Sequence, residues 1–276
     1  MLFSIITPIN KIPKTFKKCI HSLQKQSYKK FEWIIVLNGG LKKEDLPKID
    51  NISFAILESS KNGPSAARNH GLKNSSGDYC IFLDSDDFLD DEFISILHAF
   101  VSTEKDYDCI GTSGFTFSDN NSKQEKKSNL VFSNHDPSEN DILQNAIGST
   151  TGFVVKNDIN ILFNPDMFFF EDFNFYIRCL NEKKKFYFLG DCKYFYFFDE
   201  NYSKKYNLSL ITSAFKSMLN DIDDSKLRTY QKFLTKFQTY RLYYKYQNKI
   251  MFLFLTILLL FLNPIFFLKM VRRSLS

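Results

Sequence analysis

The chain has 276 residues, of which 44% are hydrophobic and 24% are charged, and its formal net charge is +5. This composition excludes disordered and fibrous proteins, and the scattering of lysines among acidic and aromatic residues argues against a nucleic-acid-binding protein. The five cysteines are odd in number and include no CxxC pair, so we expect a reducing compartment without a disulfide framework or a zinc ribbon.

The first part of the chain alternates between strand and helix patterns. The predicted strands are Leu2–Thr7, Phe31–Leu37, Ile52–Leu57 and Tyr79–Leu83, and the predicted helices are Phe16–Leu23 and Pro64–Asn74. Such alternation predicts a parallel α/β sheet. Ligands of these sheets bind at the carboxyl ends of strands, so we expect Pro8–Lys11, Asn38–Gly40 and Asp84–Asp87 to line one crevice. Met1–Thr7 lacks the features of a signal peptide, which predicts that the folded body stays in the cytoplasm.

Further elements are predicted up to residue 198. They are a helix at Asp90–Val101, a strand at Asp108–Phe117, a mobile surface loop at Ser118–Asn129 and a strand at Gly152–Lys156. An amphipathic helix follows, with an apolar face formed by Phe173, Tyr176, Ile177 and Leu180. The aromatic run Tyr194–Phe198 is typical of a strand that packs in the core, with stacking on a sugar or a lipid as the alternative.

The C-terminal part predicts helices over Leu208–Asn248 and then an apolar segment, Ile250–Leu268. As a helix this segment would be about 28 Å long, close to the thickness of a bilayer core. It is apolar on all sides, which favours membrane contact over a buried helix of a soluble protein. Basic residues flank both ends and so predict no orientation, and Asn263-Pro264 could break the segment into a shallow or re-entrant anchor.

The run Ile81–Asp87 predicts an apolar strand that delivers three carboxylates, those of Asp84, Asp86 and Asp87, to its end. Crowded negative charge is costly unless a cation compensates it, and Mg²⁺ or Mn²⁺ prefers carboxylate oxygens together with substrate phosphates. The alternative is that these acids only complement the dipole of the following helix. The run lacks the glycine and distal glutamate of an EF-hand, which argues against a calcium loop.

Several short motifs follow one another along the chain: Ser4–Pro8, Ser22-Leu23, Gln26–Tyr28, Phe31–Val36, Asn62–Gly71 and Gly77–Asp87. In this order they resemble the motifs of the family 2 glycosyltransferases. The resemblance covers Leu2–Leu97, with a weaker continuation to about Ser203. Matched motifs in order are far more specific than a lone DxD.

The resemblance implies an α/β fold of the GT-A type, a Rossmann-like domain with a mostly parallel central sheet that binds a nucleotide-diphospho-sugar. It implies that Asp86 is the metal ligand, that Asp84 lies near the ribose or sugar, and that Ser85 belongs to the same nucleotide-sugar site. Arg68 matches a family position that lines the nucleotide site, and the alternative for it is a surface arginine of a helix.

The chain departs from the family pattern at two places. Pro8-Ile9-Asn10-Lys11 replaces the usual proline-x-Tyr-Asn, although Pro8 itself is retained, and Leu37-Asn38 replaces an acidic pair. The side-chain carbonyl oxygen of Asn38 can still accept a hydrogen bond from N3–H of uracil, while its amide nitrogen also offers a donor. Uracil is therefore favoured as the base, and cytosine stays open.

A second acidic pair, Glu171-Asp172, is followed by Arg178 and is similar to the late ED motif of the family with its downstream arginine. The resemblance implies that Asp172 is the base that deprotonates the acceptor hydroxyl, that Glu171 contacts the acceptor, and that Arg178 is a candidate acceptor or loop residue. The alternative is that the two acids cap a helix.

Together these features predict an inverting, metal-dependent glycosyltransferase that uses Mn²⁺ or Mg²⁺ and a UDP-hexose or UDP-N-acetylhexosamine donor. The apolar segment suggests a lipid-linked or surface-glycan acceptor at the cytoplasmic face of a bacterial inner membrane. The predicted domains are a catalytic GT-A domain at 1–205, a helical extension at 206–248 and a membrane-associating tail at 249–276. A sugar-nucleotide-binding module and a metal-dependent phosphohydrolase are the alternatives, and the second acidic pair argues against both.

Overall fold

The computed structural model describes residues 1–103, 106–117, 126–139, 141–142, 150–167 and 170–197, together with residues 217, 221, 250, 253 and 257. The chain divides into two compact units, Met1–Lys205 and Tyr206–Ser276. Apart from those five residues, the predicted helical extension and apolar tail lie outside the described part, so the domain limits stay a prediction. Within the described part, no helix has the length and apolar character needed to span a membrane.

The first unit is built from nine strands and four longer helices in the described ranges. The strands are β1 Phe3–Ile9, β2 Phe31–Leu37, β3 Phe54–Glu58, β4 Tyr79–Phe82, β5 Phe88–Leu89, β6 Cys109–Phe117, β7 Lys126–Leu130, β8 Val154–Lys156 and β9 Phe186–Phe197. The helices are α1 Phe16–Lys25, α2 Pro64–Lys73, α3 Phe93–Val101 and α4 Glu171–Asn181, with a short 3₁₀ turn at Lys43–Asp45.

All nine strands form one mixed sheet in the order β3-β2-β1-β4-β8-β6-β9-β5, with β7 paired to β6. The half formed by β3, β2, β1 and β4 is parallel, as the sequence predicts. The rest of the sheet is mixed, so the prediction of a mostly parallel sheet holds only in part. β6 and β9 pair in parallel, whereas β8 is antiparallel to both of its neighbours, β7 is antiparallel to β6, and β5 is antiparallel to β9. Hydrophobic periodicity indicates where a strand lies but not its direction in the sheet, so the antiparallel pairing of β8 could not be predicted from the sequence.

The elements with strong hydrophobic periodicity lie close to their predicted limits, whereas weakly patterned strands were not predicted. β2 matches its prediction, and α2 begins at Pro64, where the ring presets the first helical turn. β5 has two residues, and β7, with the sequence KKSNL, falls in the stretch predicted as a loop. Polar residues give β7 no apolar alternation from which a strand could be inferred.

Apolar side chains cover both faces of the parallel half. One face packs against α1 and α3 through a cluster that includes Phe16, Trp33 and Phe93. On the other face, Phe82 makes edge contacts with the rings of Phe163 and Phe175. Helices on both faces leave the strand ends as the exposed edge at which polar groups can meet a ligand.

Helix α2 approaches β1 closely because it carries a glycine at the contact. A Cβ atom on Gly71 would lie 2.4 Å from Cγ2 of Ile6. Gly71 is therefore a packing residue that brings the whole of α2, and with it Arg68, against the sheet.

Substitution Gly71→Ala is expected to lower the free energy of unfolding by about 1–3 kcal/mol, because the added methyl overpacks a buried contact. Urea unfolding followed by circular dichroism measures this change. Lys73→Ala on the exposed side of the same helix is the matched control and should change the free energy by less than about 0.5 kcal/mol. Equal stability of both variants would show that the contact with Ile6 is not tight.

Candidate functional site

Three predicted segments lie together at the carboxyl edge of the parallel half. β1 is the centre of this half and pairs with β2 on one side and β4 on the other, so Pro8, Asn38 and Asp84 come at the same edge. The three segments are thus neighbours at one edge of the sheet, as predicted. The carbonyl of Ile6 faces β4 and accepts a hydrogen bond from the N–H of Leu83. The nitrogen of Pro8, two residues further on, faces the same side but lies beyond the end of β4. A proline, which has no N–H to donate, therefore fits this position.

Asn38 fixes one side of this edge. Its backbone N–H donates to the carbonyl of Ile9 at 2.9 Å, and its side-chain Nδ2 donates to the carbonyl of Gly63 at 3.3 Å. Asn62 Oδ1 accepts from the N–H of Gly39 at 3.2 Å. The ends of β1 and β2 and the start of α2 are therefore held together around a buried asparagine.

The acidic segment after β4 is a closed turn with two external supports. Within it, the N–H of Asp87 donates to the carbonyl of Asp84 at 3.1 Å. The hydroxyl of Thr151 accepts from the N–H of Asp84 at 3.0 Å and donates to Oδ2 of Asp87 at 2.5 Å. Oδ1 of Asp87 accepts from the N–H of Phe197 at 2.8 Å. We call residues 84–87 the acidic turn.

Negative charge is concentrated in the acidic turn. Burial, and then the charge of Asp84, raise the pKa of Asp86, while Lys11 and Arg68 partly oppose this shift. Burial raises the pKa of Asp87 well above its ordinary value, and Asp86 and Asp84 add to the effect. The turn therefore offers a favourable environment to a cation, which would lower the repulsion among these groups.

The acidic turn fits a divalent cation that shares its coordination with a ligand. Within the described ranges, no group of three or more histidine, cysteine, aspartate or glutamate side chains forms a complete metal site. Asp86 is partly buried, and the side chain of Asp84 is 28% exposed. Mg²⁺ and Mn²⁺ are commonly held by one or two carboxylates with the remaining ligands from phosphates and water, so these residues suit either ion.

Arg68 connects the acidic turn to the second acidic pair. Its side chain is 3% exposed, and Nη2 contacts Oδ1 of Asp84 at 2.7 Å while Nη1 contacts Oε1 of Glu171 at 3.2 Å. Burial lowers the pKa of Arg68, but the charges of Asp84 and Glu171 more than offset this and raise it above its ordinary value. The alternative of a surface arginine is wrong, because Arg68 is a buried ion-pair partner of two candidate site residues.

The second acidic pair opens helix α4. Phe170 precedes it in a left-handed conformation with φ of 59°, and Oδ1 of Asp172 accepts from the N–H of Phe173 at 2.7 Å. Burial and the neighbouring charge of Glu171 raise the pKa of Asp172 to about 7. A carboxyl with a pKa near neutrality is suited to general base catalysis at neutral pH. The first turn of a helix is also a favourable location for acids. A role in catalysis and a role in capping the helix are therefore compatible for Glu171 and Asp172.

Arg178 lies apart from the acidic turn. Its Nη1 donates to the carbonyl of Leu162 at 2.6 Å, and it is about 9 Å further along α4 than Asp172. It lines a separate cavity of about 480 Å³ with Lys61, His70 and Lys73. Its assignment as an acceptor or loop residue stays a prediction.

The structure thus brings Asp84, Arg68 and Glu171 into direct contact, with Ser85 and Asp86 in the same turn and Asp172 next to Glu171. Pro8 and Asn38 lie at the same sheet edge. Sequence reasoning missed Thr151, because a threonine hydroxyl beside a glycine has no pattern that marks it as a partner of a turn 64 residues earlier.

Comparison with known proteins identifies relatives of this chain. The family model described as Glycosyl transferase family 2 matches residues 4–162. An uncharacterized glycosyltransferase of Haemophilus influenzae is 31% identical over 192 residues, which cover 67% of this chain and 74% of that protein. Glycosyltransferase GlyA of Streptococcus pneumoniae is 33% identical over 99 residues, which cover 34% of this chain and only 14% of the length of GlyA.

A solved structure has a similar fold. The crystal structure of S. aureus TarS 1-349 in complex with UDP-GlcNAc aligns with a TM-score of 0.71 at 20% identity, covering 89% of this chain and 73% of that chain. At this identity the likeness concerns the fold alone, and it agrees with the mixed α/β sheet described above.

Removing the guanidinium of Arg68 is expected to destabilise the fold. Arg68→Met would leave Asp84 and Glu171 unpaired, and because these carboxylates keep some exposure we expect a loss of about 3 kcal/mol in the free energy of unfolding. Arg178→Met, which removes a hydrogen bond to a carbonyl but breaks no ion pair between described residues, is the matched control with a loss of about 1 kcal/mol. Urea unfolding compares the two, and equal losses would contradict a special role of the Arg68 bridge.

Proposed function

Since the chain belongs to glycosyl transferase family 2, we propose that it is an inverting glycosyltransferase that moves a sugar from a nucleotide-diphospho-sugar to a hydroxyl group. The observation that carries the proposal is the contact of Arg68 with both Asp84 and Glu171. This contact joins a turn suited to a metal-bound diphosphate to an acidic pair suited to activating an acceptor. Binding of the donor diphosphate and activation of the acceptor hydroxyl would therefore take place at one site.

The proposed donor is a UDP-hexose or UDP-N-acetylhexosamine. The fold is shared with TarS, which was crystallised with UDP-GlcNAc. Asn38 lies at the edge where β1 and β2 end, and its side-chain carbonyl oxygen can accept a hydrogen bond from N3–H of uracil. We propose that Pro8, Asn38, Arg68, Asp84 and Ser85 line the nucleotide-sugar site, with Asp84 toward the ribose or sugar.

Asp86 is the proposed ligand of Mn²⁺ or Mg²⁺. When bound, such an ion would neutralise the charge that develops on the departing diphosphate. The role of the protein is to hold the carboxylate of Asp86 beside Asp84 in a closed turn, so that little rearrangement is needed when the ion binds. Burial and the charge of Asp84 raise the pKa of Asp86, and a bound cation would compensate the charge of both carboxylates, which supports this role.

Asp172 is the proposed general base. Attack on the anomeric carbon requires the acceptor hydroxyl to lose its proton, and a carboxylate with a pKa of about 7 is a stronger base than an ordinary aspartate. One oxygen of Glu171 accepts from Arg68, which leaves its other oxygen to bind an acceptor hydroxyl. Arg178 stays a candidate for contact with the acceptor or an adjoining loop.

The proposed acceptor is a lipid-linked or surface glycan of the lipopolysaccharide, lipooligosaccharide or capsule type. The apolar segment Ile250–Leu268 supports a location at the cytoplasmic face of a bacterial inner membrane. Of its residues, Ile250, Leu253 and Ile257 are described, and all three are exposed, which is consistent with an apolar surface that contacts lipid.

Nucleotide release from a panel of UDP-sugars and other nucleotide-sugars, with Mn²⁺, Mg²⁺ or EDTA, tests the proposal. Asp86→Ala and Asp172→Ala are expected to lower metal-dependent UDP release by about 10²–10⁴-fold. Asp91→Ala, which removes an exposed acid close to the same turn, should retain wild-type turnover. Tight nucleotide binding without turnover for any donor and acceptor would favour a binding module instead.

The pH dependence of kcat/KM provides a second test. A base must be deprotonated to act, and kcat/KM reports the ionisation of the enzyme without substrate. We therefore expect kcat/KM to rise with pH and to level off above the pKa of Asp172, which is about 7. The charge of Glu171 contributes to the raised pKa, so Glu171→Gln should move this limb to lower pH, whatever it does to the maximal rate. An unmoved limb would indicate that Asp172 is not the titrating base.

A further inference from the structure

The acidic turn contains a third carboxylate for which the proposed reaction has no use. Asp87 is 4% exposed, whereas Asp84 and Asp86 are partly accessible. Its two oxygens accept from two different segments, Oδ2 from the hydroxyl of Thr151 and Oδ1 from the N–H of Phe197. A buried carboxylate with both oxygens engaged in this way is poorly placed to ligate a metal.

Thr151 is a bridge between the backbone and a side chain of the acidic turn. The same hydroxyl that donates to Asp87 accepts from the backbone N–H of Asp84, at 3.0 Å. Together with the internal bond from Asp87 to Asp84, this closes a small hydrogen-bonded ring around the turn. Moving Thr151 would therefore move both ends of the segment that carries the proposed metal ligand.

The support for Thr151 is itself rigid. The next residue, Gly152, donates its N–H to the carbonyl of Phe82 at 2.8 Å and accepts at its carbonyl from the hydroxyl of Thr112 at 2.8 Å. Gly152 has a φ of 76°, and a Cβ atom there would lie 2.3 Å from the ring of Tyr194. The backbone beside Thr151 is thus fixed on β4, β6 and β9 at once.

We propose that Asp87 and Thr151 form a clamp that positions the acidic turn for metal and diphosphate binding and ties it to the end of β9 at Phe197. Asp87 and Thr151 are positioning residues that act through Asp84 and Asp86. This inference rests on the proposed function for its kinetic consequence, whereas the hydrogen bonds of the clamp exist independently of it. Ligands held loosely by their supporting groups bind metals less tightly, typically by 10- to 100-fold.

Thr151→Val tests the clamp, because valine keeps the shape of threonine and removes only the hydroxyl. We expect the Mn²⁺ concentration for half-maximal UDP release to rise about 10- to 100-fold. Amide hydrogen exchange of the metal-free protein should become faster in the peptides that contain residues 84–87 and 197. Thr151→Ser, which keeps the hydroxyl, should restore both values to within about threefold of wild type.

A matched control separates the clamp from a general loss of stability. Thr7→Val removes the hydroxyl of another buried threonine, which accepts from Nε1 of Trp33 and not from the acidic turn. It should lower the melting temperature while the metal requirement and the exchange of residues 84–87 stay at wild-type values. Asp87→Asn should change the metal requirement and the amide exchange as Thr151→Val does. The double variant should show no larger change than the more affected single variant, because both substitutions break the same hydrogen bond.

Two results would overturn the clamp. One is unchanged exchange and metal requirement in Thr151→Val. The other is loss of the metal response in Asp87→Asn alone, which would make Asp87 a ligand. If the wild-type protein turns over no donor, the proposed function fails, and the exchange measurement on Thr151→Val still decides whether the clamp exists.

Discussion

The site depends on the pairing of one buried guanidinium with two carboxylates. Arg68 could not remain charged inside the protein without partners, and its partners come from 16 and 103 residues away in the chain. Satisfying it therefore requires that α2, the end of β4 and the start of α4 meet. Burial of an ion pair is seldom the most stable choice for a protein, so its presence here is better explained by the chemistry of the site than by stability.

Charge distribution divides the site into two functional parts. The acidic turn accumulates negative charge and suits a cation with its diphosphate, while the second acidic pair contains one carboxyl with a pKa near 7. Arg68 lies between the parts and moderates both, since its charge lowers the pKa of Asp86 and of Asp172. A change of charge in one part therefore alters the electrostatic environment of the carboxylates in the other part, because both parts share Arg68.

The mixed part of the sheet explains how the acidic turn is held. β8 runs antiparallel between β4 and β6, and the residues just before it, including Thr151, therefore arrive at the edge where β4 ends. β9 reaches the same turn at Phe197. A wholly parallel sheet would have sent the chain entering β8 to the opposite edge, so the departure from the predicted topology is what gives the turn its supports.

The sequence by itself determined the alternating strands and helices up to Phe82, the acidic turn, the second acidic pair and the family, because these are local in the chain and appear as periodicity or as ordered motifs. Only the tertiary structure decided that Arg68 is buried between two acids, that Arg178 lies apart from the acidic turn, and that Thr151 and Phe197 hold Asp87. It also decided the raised pKa of Asp172, which depends on burial. The reason is that hydrogen bonds and desolvation join residues distant in the chain, and the pattern around any one of them does not encode its partner.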